Sequence, residues 1–176
     1  RITVREFFPV FMERHGSFRS NSMQDSYQSS FKNICSCPSL ADNPLSAISK
    51  RMVLDYMHLR MKADAVSTAT VNREAAFLKC MFSRAVEWEM LDHDSLKGLK
   101  LFPEEDRRDV YLSREQATEL ISELPEPVSS IVEFAIYTGF RKENILSLRI
   151  DAIRIYEDGN TGEVELVIKG GRRELF

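Results

Sequence analysis

The feature that most constrains the fold is a change of hydrophobic period. From Thr3 to about Leu148 the apolar residues recur at helical spacing, whereas from Ile153 onward they alternate. Helical spacing demands buried stripes and alternation demands a half-buried sheet, so the chain is expected to be mainly α with a small antiparallel β-sheet. The run Pro103-Glu-Glu-Asp-Arg-Arg-Asp109 has almost nothing to bury and interrupts the helical part. The expected organisation is a helical domain over 1–103, a linker over 104–110 and a second domain over 111–176.

Within the first domain, Thr3-Val4-Arg5-Glu6 is a capping box opening a helix that carries Phe7, Phe8, Val10, Phe11 and Met12 and ends at Gly16. A second helix is predicted from about Ser22 to Ile34, with Met23, Tyr27 and Phe31 inward. Residues 37–44, with Pro38, Asn43 and Pro44, read as loop. A third helix follows Ser49, with Met52, Val53, Tyr56 and Leu59 inward and Lys50, Arg51, Arg60 and Lys62 outside as a basic rim. Thr70 is expected to cap a fourth, long helix with the stripe Val71, Ala75, Leu78, Phe82, Ala85 and Val86. On its far side Arg73 and Arg84 share a face, flanked by Asn72 and Lys79. Such a face suits a phosphate backbone, although composition alone favours a plain solvated face.

In the second domain, Ser113-Arg-Glu-Gln116 is another capping box, placing Ala117, Leu120 and Ile121 inward. Residues 128–137 are apolar on most sides and are expected to form a central buried helix. Residues 153–156, 164–168 and 172–176 read as three short antiparallel strands, with Gly170-Gly171 as a tight turn and Lys169 on its shoulder.

Composition narrows the function classes. A hydrophobic fraction of 43% argues against disorder, and no apolar run is long enough for a bilayer span. Three cysteines, Cys35, Cys37 and Cys80, are an odd number, which points to a reducing, cytoplasmic setting rather than a disulfide framework. The three histidines show no ligand spacing, so no metal site is expected. Charge is uneven: residues 1–103 hold 14 Lys and Arg against 11 Asp and Glu, while 104–176 hold 10 against 16. The first part is the better polyanion partner. The chain opens at Arg1 without a methionine and stops at Phe176 within a strand pattern, so a fragment is expected.

Chemistry concentrates in Tyr137-Thr-Gly-Phe-Arg141. Gly139 can take the left-handed conformation that closes a helix, and Arg141 then stands where the next helix exposes unpaired amides. A planar guanidinium there is a clamp for one phosphate. Lys169, on a hairpin, is a cation able to reach such a phosphate or to protonate a leaving oxygen.

Four landmarks in order carry a resemblance: Thr70-Val-Asn-Arg-Glu74 on a long helix, Tyr111-Leu-Ser-Arg-Glu115 after the charge run, Tyr137-Thr-Gly-Phe-Arg141 with Ile145-Leu146 and Leu148, and Lys169-Gly-Gly. Together they resemble the tyrosine recombinases, the phage-integrase family. The resemblance implies a helical, SAM-like core-binding domain followed by the first half of an α+β catalytic domain. It implies breakage and rejoining of double-stranded DNA through a 3′-phosphotyrosyl link, with no cofactor, in phage or mobile elements. It further implies a tetramer on DNA and a bacterial, nucleoid-associated setting without a membrane. Arg141 would stabilise charge on the scissile phosphate and Lys169 would protonate the departing 5′-oxygen. Thr70, Asn72, Arg73, Lys79, Arg84 and Lys50 are the expected DNA contacts. Two departures stand out: Asn144 occupies a place where the family has glutamate, and Asp151 is the remaining carboxylate of an acidic run. No histidine begins His-x-x-Arg and every tyrosine lies too early to be the nucleophile, so residues 1–176 alone are expected to cleave nothing. The alternative is a non-catalytic DNA-binding module derived from an integrase.

Overall fold

The structure, a computed structural model, describes residues 2–104, 111–157, 161–167 and 173–176. Most of the charge run, residues 158–160 and the hairpin tip with Lys169, Gly170 and Gly171 lie outside the described residues. The chain divides into two compact units, Arg1–Arg107 and Arg108–Phe176.

In the first unit, α1 (Val4–Arg14) starts at the expected capping box: Thr3 Oγ1 accepts from the Glu6 N–H, and the Thr3 N–H donates to Glu6 Oε2 at 2.9 Å. It is followed by α2 (Asn21–Cys35), a short α3 (Pro38–Ala41), α4 (Lys50–Ala63) and α5 (Thr68–Glu87). Residues 38–41, expected as loop, form α3 because Pro38 sits in its first turn, where the missing N–H costs nothing, and Leu40 and Ala41 are fully buried. The α5 cap is Ser67 rather than Thr70: Ser67 Oγ accepts from the Thr70 N–H at 3.3 Å, so Thr70 lies inside the first turn.

The core forms around α5, whose Val71, Ala75, Leu78, Met81, Phe82 and Ala85 are essentially inaccessible. Phe7 and Phe11 of α1, Ile34 of α2, and Val53, Tyr56 and Met57 of α4 close on it. The buried stripe of α4 therefore runs through 53, 56, 57 and 60. Leu59, expected inward, falls about 110° off that stripe by helix geometry and is 57% exposed. On α2, Ser30 and Ile34 are buried while Met23, near the helix start, remains exposed. After α5 the chain folds back with Leu91, Leu96 and Leu99 in the core.

In the second unit, α6 (Arg114–Glu123) begins at the predicted capping box, packs against α7 (Val128–Thr138), and α7 contacts α8 (Lys142–Leu146). The sheet has order β1-β2-β3, formed by β1 (Ile153–Ile155), β2 (Gly162–Val167) and β3 (Arg173–Leu175), all antiparallel. Ile153 pairs with Val164 and Val167 with Arg173. The expectation of a central buried helix over 128–137 is corrected: of α7 only Ser129 is buried, and Tyr137 is 81% exposed. The described elements cover α7 on too few sides to enclose an apolar cylinder.

Candidate nucleic-acid interface

Arg141 is placed as its sequence suggests. The α7 helix ends at Gly139, in the left-handed conformation at φ 66° and ψ 14°, and the Gly139 N–H donates to the Ala135 carbonyl at 2.9 Å. Arg141 then caps α8, its own carbonyl accepting from the amides of Asn144 and Ile145 at 2.9 and 3.1 Å. Its guanidinium is exposed and has no ion-pair partner among the described residues. The neighbouring acid Glu143 is paired with Lys142 at 3.3 Å.

The two supporting candidates lie around a cavity of about 420 Å³, lined by Asn144, Ser147, Arg149, Asp151, Glu165 and Arg173 among others. Asp151 is held by Arg149, whose Nε donates to Oδ1 at 3.0 Å and to Oδ2 at 3.3 Å and whose Nη2 donates to Oδ2 at 2.8 Å. That pairing keeps the Asp151 carboxyl below the usual carboxylate range. Among the described residues neither Asn144 nor Asp151 bonds the Arg141 side chain. Lys169 lies outside the described residues.

On α5 the predicted cations and amides have unlike surroundings. Arg73 is exposed, and Arg84 is partly covered and paired with Glu87. Lys79 Nζ donates to the Leu99 carbonyl at 3.0 Å. Thr70 is half-buried, its hydroxyl 3.0 Å from Ser67 Oγ. Lys50, at the start of α4, is exposed. Asn72 does not lie on the open face at all: it is 3% exposed and its carboxamide bonds both backbone groups of Phe102. Arg73 and Lys50 are thus the exposed members of the set.

A buried polar centre escaped the sequence reading. Glu74, 2% exposed, accepts from Tyr56 Oη at 2.7 Å, Asn33 Nδ2 at 2.7 Å and Arg60 Nη2 at 2.9 Å. Arg60, expected on the basic rim, instead turns inward because a buried carboxylate requires a cation and donors. Burial and the adjacent carboxylate push the Tyr56 hydroxyl far above its ordinary range, and the Glu74 bond raises the Arg60 pKa. The available signal was spacing: Glu74 falls inside the apolar stripe between Val71 and Ala75.

All three cysteines are free thiols, and burial pushes that of Cys35 up. Among the described residues no group of three or more His, Cys, Asp or Glu is placed to hold a metal, and no helix is long and apolar enough to cross a membrane.

No protein-family model matches the chain. In sequence it is 35% identical over 88 residues to the integrase of Salmonella phage P22, a match covering 49% of this chain and 22% of that protein. In fold it matches, over all of its length, 51% of a lambda integrase chain from a tetramer bound to a Holliday junction, with a TM-score of 0.81 and 16% identity. It also matches 58% of the Tn1549 transposon integrase solved with a circular intermediate DNA, with a TM-score of 0.69 and 15% identity. The fold is therefore that of the lambda and Tn1549 integrase chains, a helical unit followed by a mixed helical and antiparallel unit. In sequence the chain is similar to a phage integrase over 88 residues, and it spans about half the length of the lambda chain.

Proposed function

We propose that residues 1–176 are the core-binding unit and the first catalytic segment of a site-specific DNA recombinase of the phage or mobile-element integrase type. The observation that carries this reading is the match of the whole of this chain to an integrase fold, with Arg141 exposed at the start of α8 and without an ion-pair partner among the described residues. The substrate is double-stranded DNA, and the working form is a tetramer on that DNA in the bacterial cytoplasm and nucleoid.

In this reading Arg141 places its planar donors on the non-bridging oxygens of the scissile phosphate, and no ion pair with a described residue has to break first. Lys169 protonates the departing 5′-oxygen while a tyrosine from sequence outside residues 1–176 forms the 3′-phosphotyrosyl bond. Arg73 and Lys50 supply phosphate contacts from the helical unit, with Arg84 and Lys79 joining if their present partners release them.

Two measurements test the proposal. On a nicked suicide DNA, a longer chain that includes the nucleophile should form a covalent protein–DNA adduct, and Arg141→Ala should abolish it. An adduct unaffected by that change would remove Arg141 from catalysis, and none from the unaltered chain would favour a non-catalytic module. Residues 1–176 should bind DNA with an affinity that falls steeply with salt, and Arg73→Ala should lower the log–log slope by about one.

A further inference from the structure

After α5 the returning chain of the helical unit makes a turn that is tied down at several points. Leu96 and Leu99 are buried, and Asp94 Oδ1 accepts from the Leu96 N–H at 2.8 Å. The Leu99 N–H donates to the Leu96 carbonyl at 2.9 Å, and Ser95 Oγ donates to the Ile48 carbonyl at 2.7 Å. Gly98 makes the bend at φ 78°, a left-handed conformation that residues with a side chain rarely adopt. Lys97 and Lys100 flank Gly98 and Leu99, and both are exposed.

Two further cations reach the same turn from separate helices. Lys50 Nζ of α4 lies 3.7 Å from where a Gly98 Cβ would stand, and Lys79 Nζ of α5 donates to the Leu99 carbonyl at 3.0 Å. Four lysines therefore gather at one short turn. In the same unit Arg5, Arg51, Arg60 and Arg84 each meet a carboxylate, whereas none of these lysines has an ion-pair partner among the described residues. Like charges held together without counter-charge favour a polyanion. Lys97 also borders a surface cavity of about 540 Å³ with Ser83 and His93, a hydroxyl and an imidazole able to donate to a phosphate oxygen. Asp94 is the acid on that rim, and its Oδ1 is engaged by the Leu96 N–H.

We propose that this turn is a phosphate-backbone contact of the helical unit, in which Lys97, Lys100 and Lys50 neutralise phosphates of double-stranded DNA. The proposal deepens the reading above and rests on it. Because the backbone of the turn is already fixed, its lysines meet the duplex without the cost of ordering a loop.

The test uses the full 176-residue chain and a duplex oligonucleotide. Lys97→Gln, Lys100→Gln and Lys50→Gln should each lower the log–log salt slope by about one and weaken binding about three- to eightfold near 0.1 M salt. Lys62→Gln, the same charge change roughly 18 Å further along α4, should alter neither. In the unaltered chain, saturating duplex should slow acetylation of Lys50, Lys97 and Lys100 by about fivefold, read by peptide mass spectrometry, and leave Lys62 unaffected. That arm depends on no variant folding. Lysines left unprotected by the duplex overturn the proposal, and so do variants that keep the slope of the unaltered chain. A Lys62→Gln effect as large as the others also overturns it, since the cause would be diffuse net charge. In each of these cases, binding that still falls with salt and is weakened by Arg73→Ala keeps the recombinase reading. An unaltered chain without salt-dependent binding removes that reading, and the proposal with it.

Discussion

Glu74 shows how one residue joins three helices. Its carboxylate receives donors from Asn33 on α2 and from Tyr56 and Arg60 on α4, so removing it leaves a buried hydroxyl and a mostly covered guanidinium without their acceptor. Arg60 keeps its second acid, Asp64, but that residue is exposed and offers little compensation. Glu74→Ala should cost about 3–5 kcal/mol, the range for breaking a buried pair from one side. Denaturant midpoints would show it, and a loss under 1 kcal/mol would mean that water replaces the carboxylate. His15 supplies a pH dependence. It is 8% exposed, its Nε2 accepts from Arg19 Nε at 3.3 Å, and Tyr27 Oη and Cys80 Sγ lie nearby. Burial first, then the charges of Arg19 and Arg84, hold its pKa below the ordinary histidine value, with Glu87 opposing. The unfolded chain therefore takes the proton first, so this contribution is whole above about pH 6.5 and declines as pH falls through the lowered value. In His15→Gln the decline of stability between pH 7 and 5 should flatten, and an unchanged slope would rule out His15 as its source.

Among the elements, the α7–α8 junction depends on one backbone conformation. Gly139 is at φ 66°, and a Cβ built there meets nothing within 4 Å, so the cost of a side chain is conformational rather than steric. Gly139→Ala should lower the stability of the second unit by about 1 kcal/mol, read from its thermal transition. If Arg141 clamps a phosphate, the same change should weaken that clamp in adduct formation. Caps were readable in sequence because they depend on residues three apart: the boxes at Thr3 and Ser113 form as expected. The α5 start was misplaced by a turn because Ser67 and Thr70 are both good caps, and helical geometry extends to the earlier one. For α7, an apolar pattern established a helix but not its burial, which depends on how many neighbours surround it.

Over the whole molecule the two units differ in how much they bury. The first encloses a continuous core of large side chains, while among the described residues of the second only Ser129 and Leu166 are buried. Hydrophobic stabilisation scales with apolar area removed from water, so the second unit should be the weaker. Calorimetry of residues 1–176 should resolve two transitions, with amide exchange in α6–α8 faster than in α5 by about a hundredfold or more. One cooperative transition with uniform protection would refute this. Sequence by itself determined the helix and strand types outside α3, the capping boxes, the left-handed Gly139, the placing of Arg141 and the recombinase resemblance. Each of these depends on residue identity at short separation, where backbone geometry leaves few choices. Only the tertiary structure decided which polar residues are engaged inside. Asn72 meets Phe102 across 30 positions, and Glu74 meets Asn33 across 41. A helix period places a side chain on a face but is silent on what packs there, so an apparent DNA contact became a backbone anchor and an apparent rim arginine the partner of a buried acid.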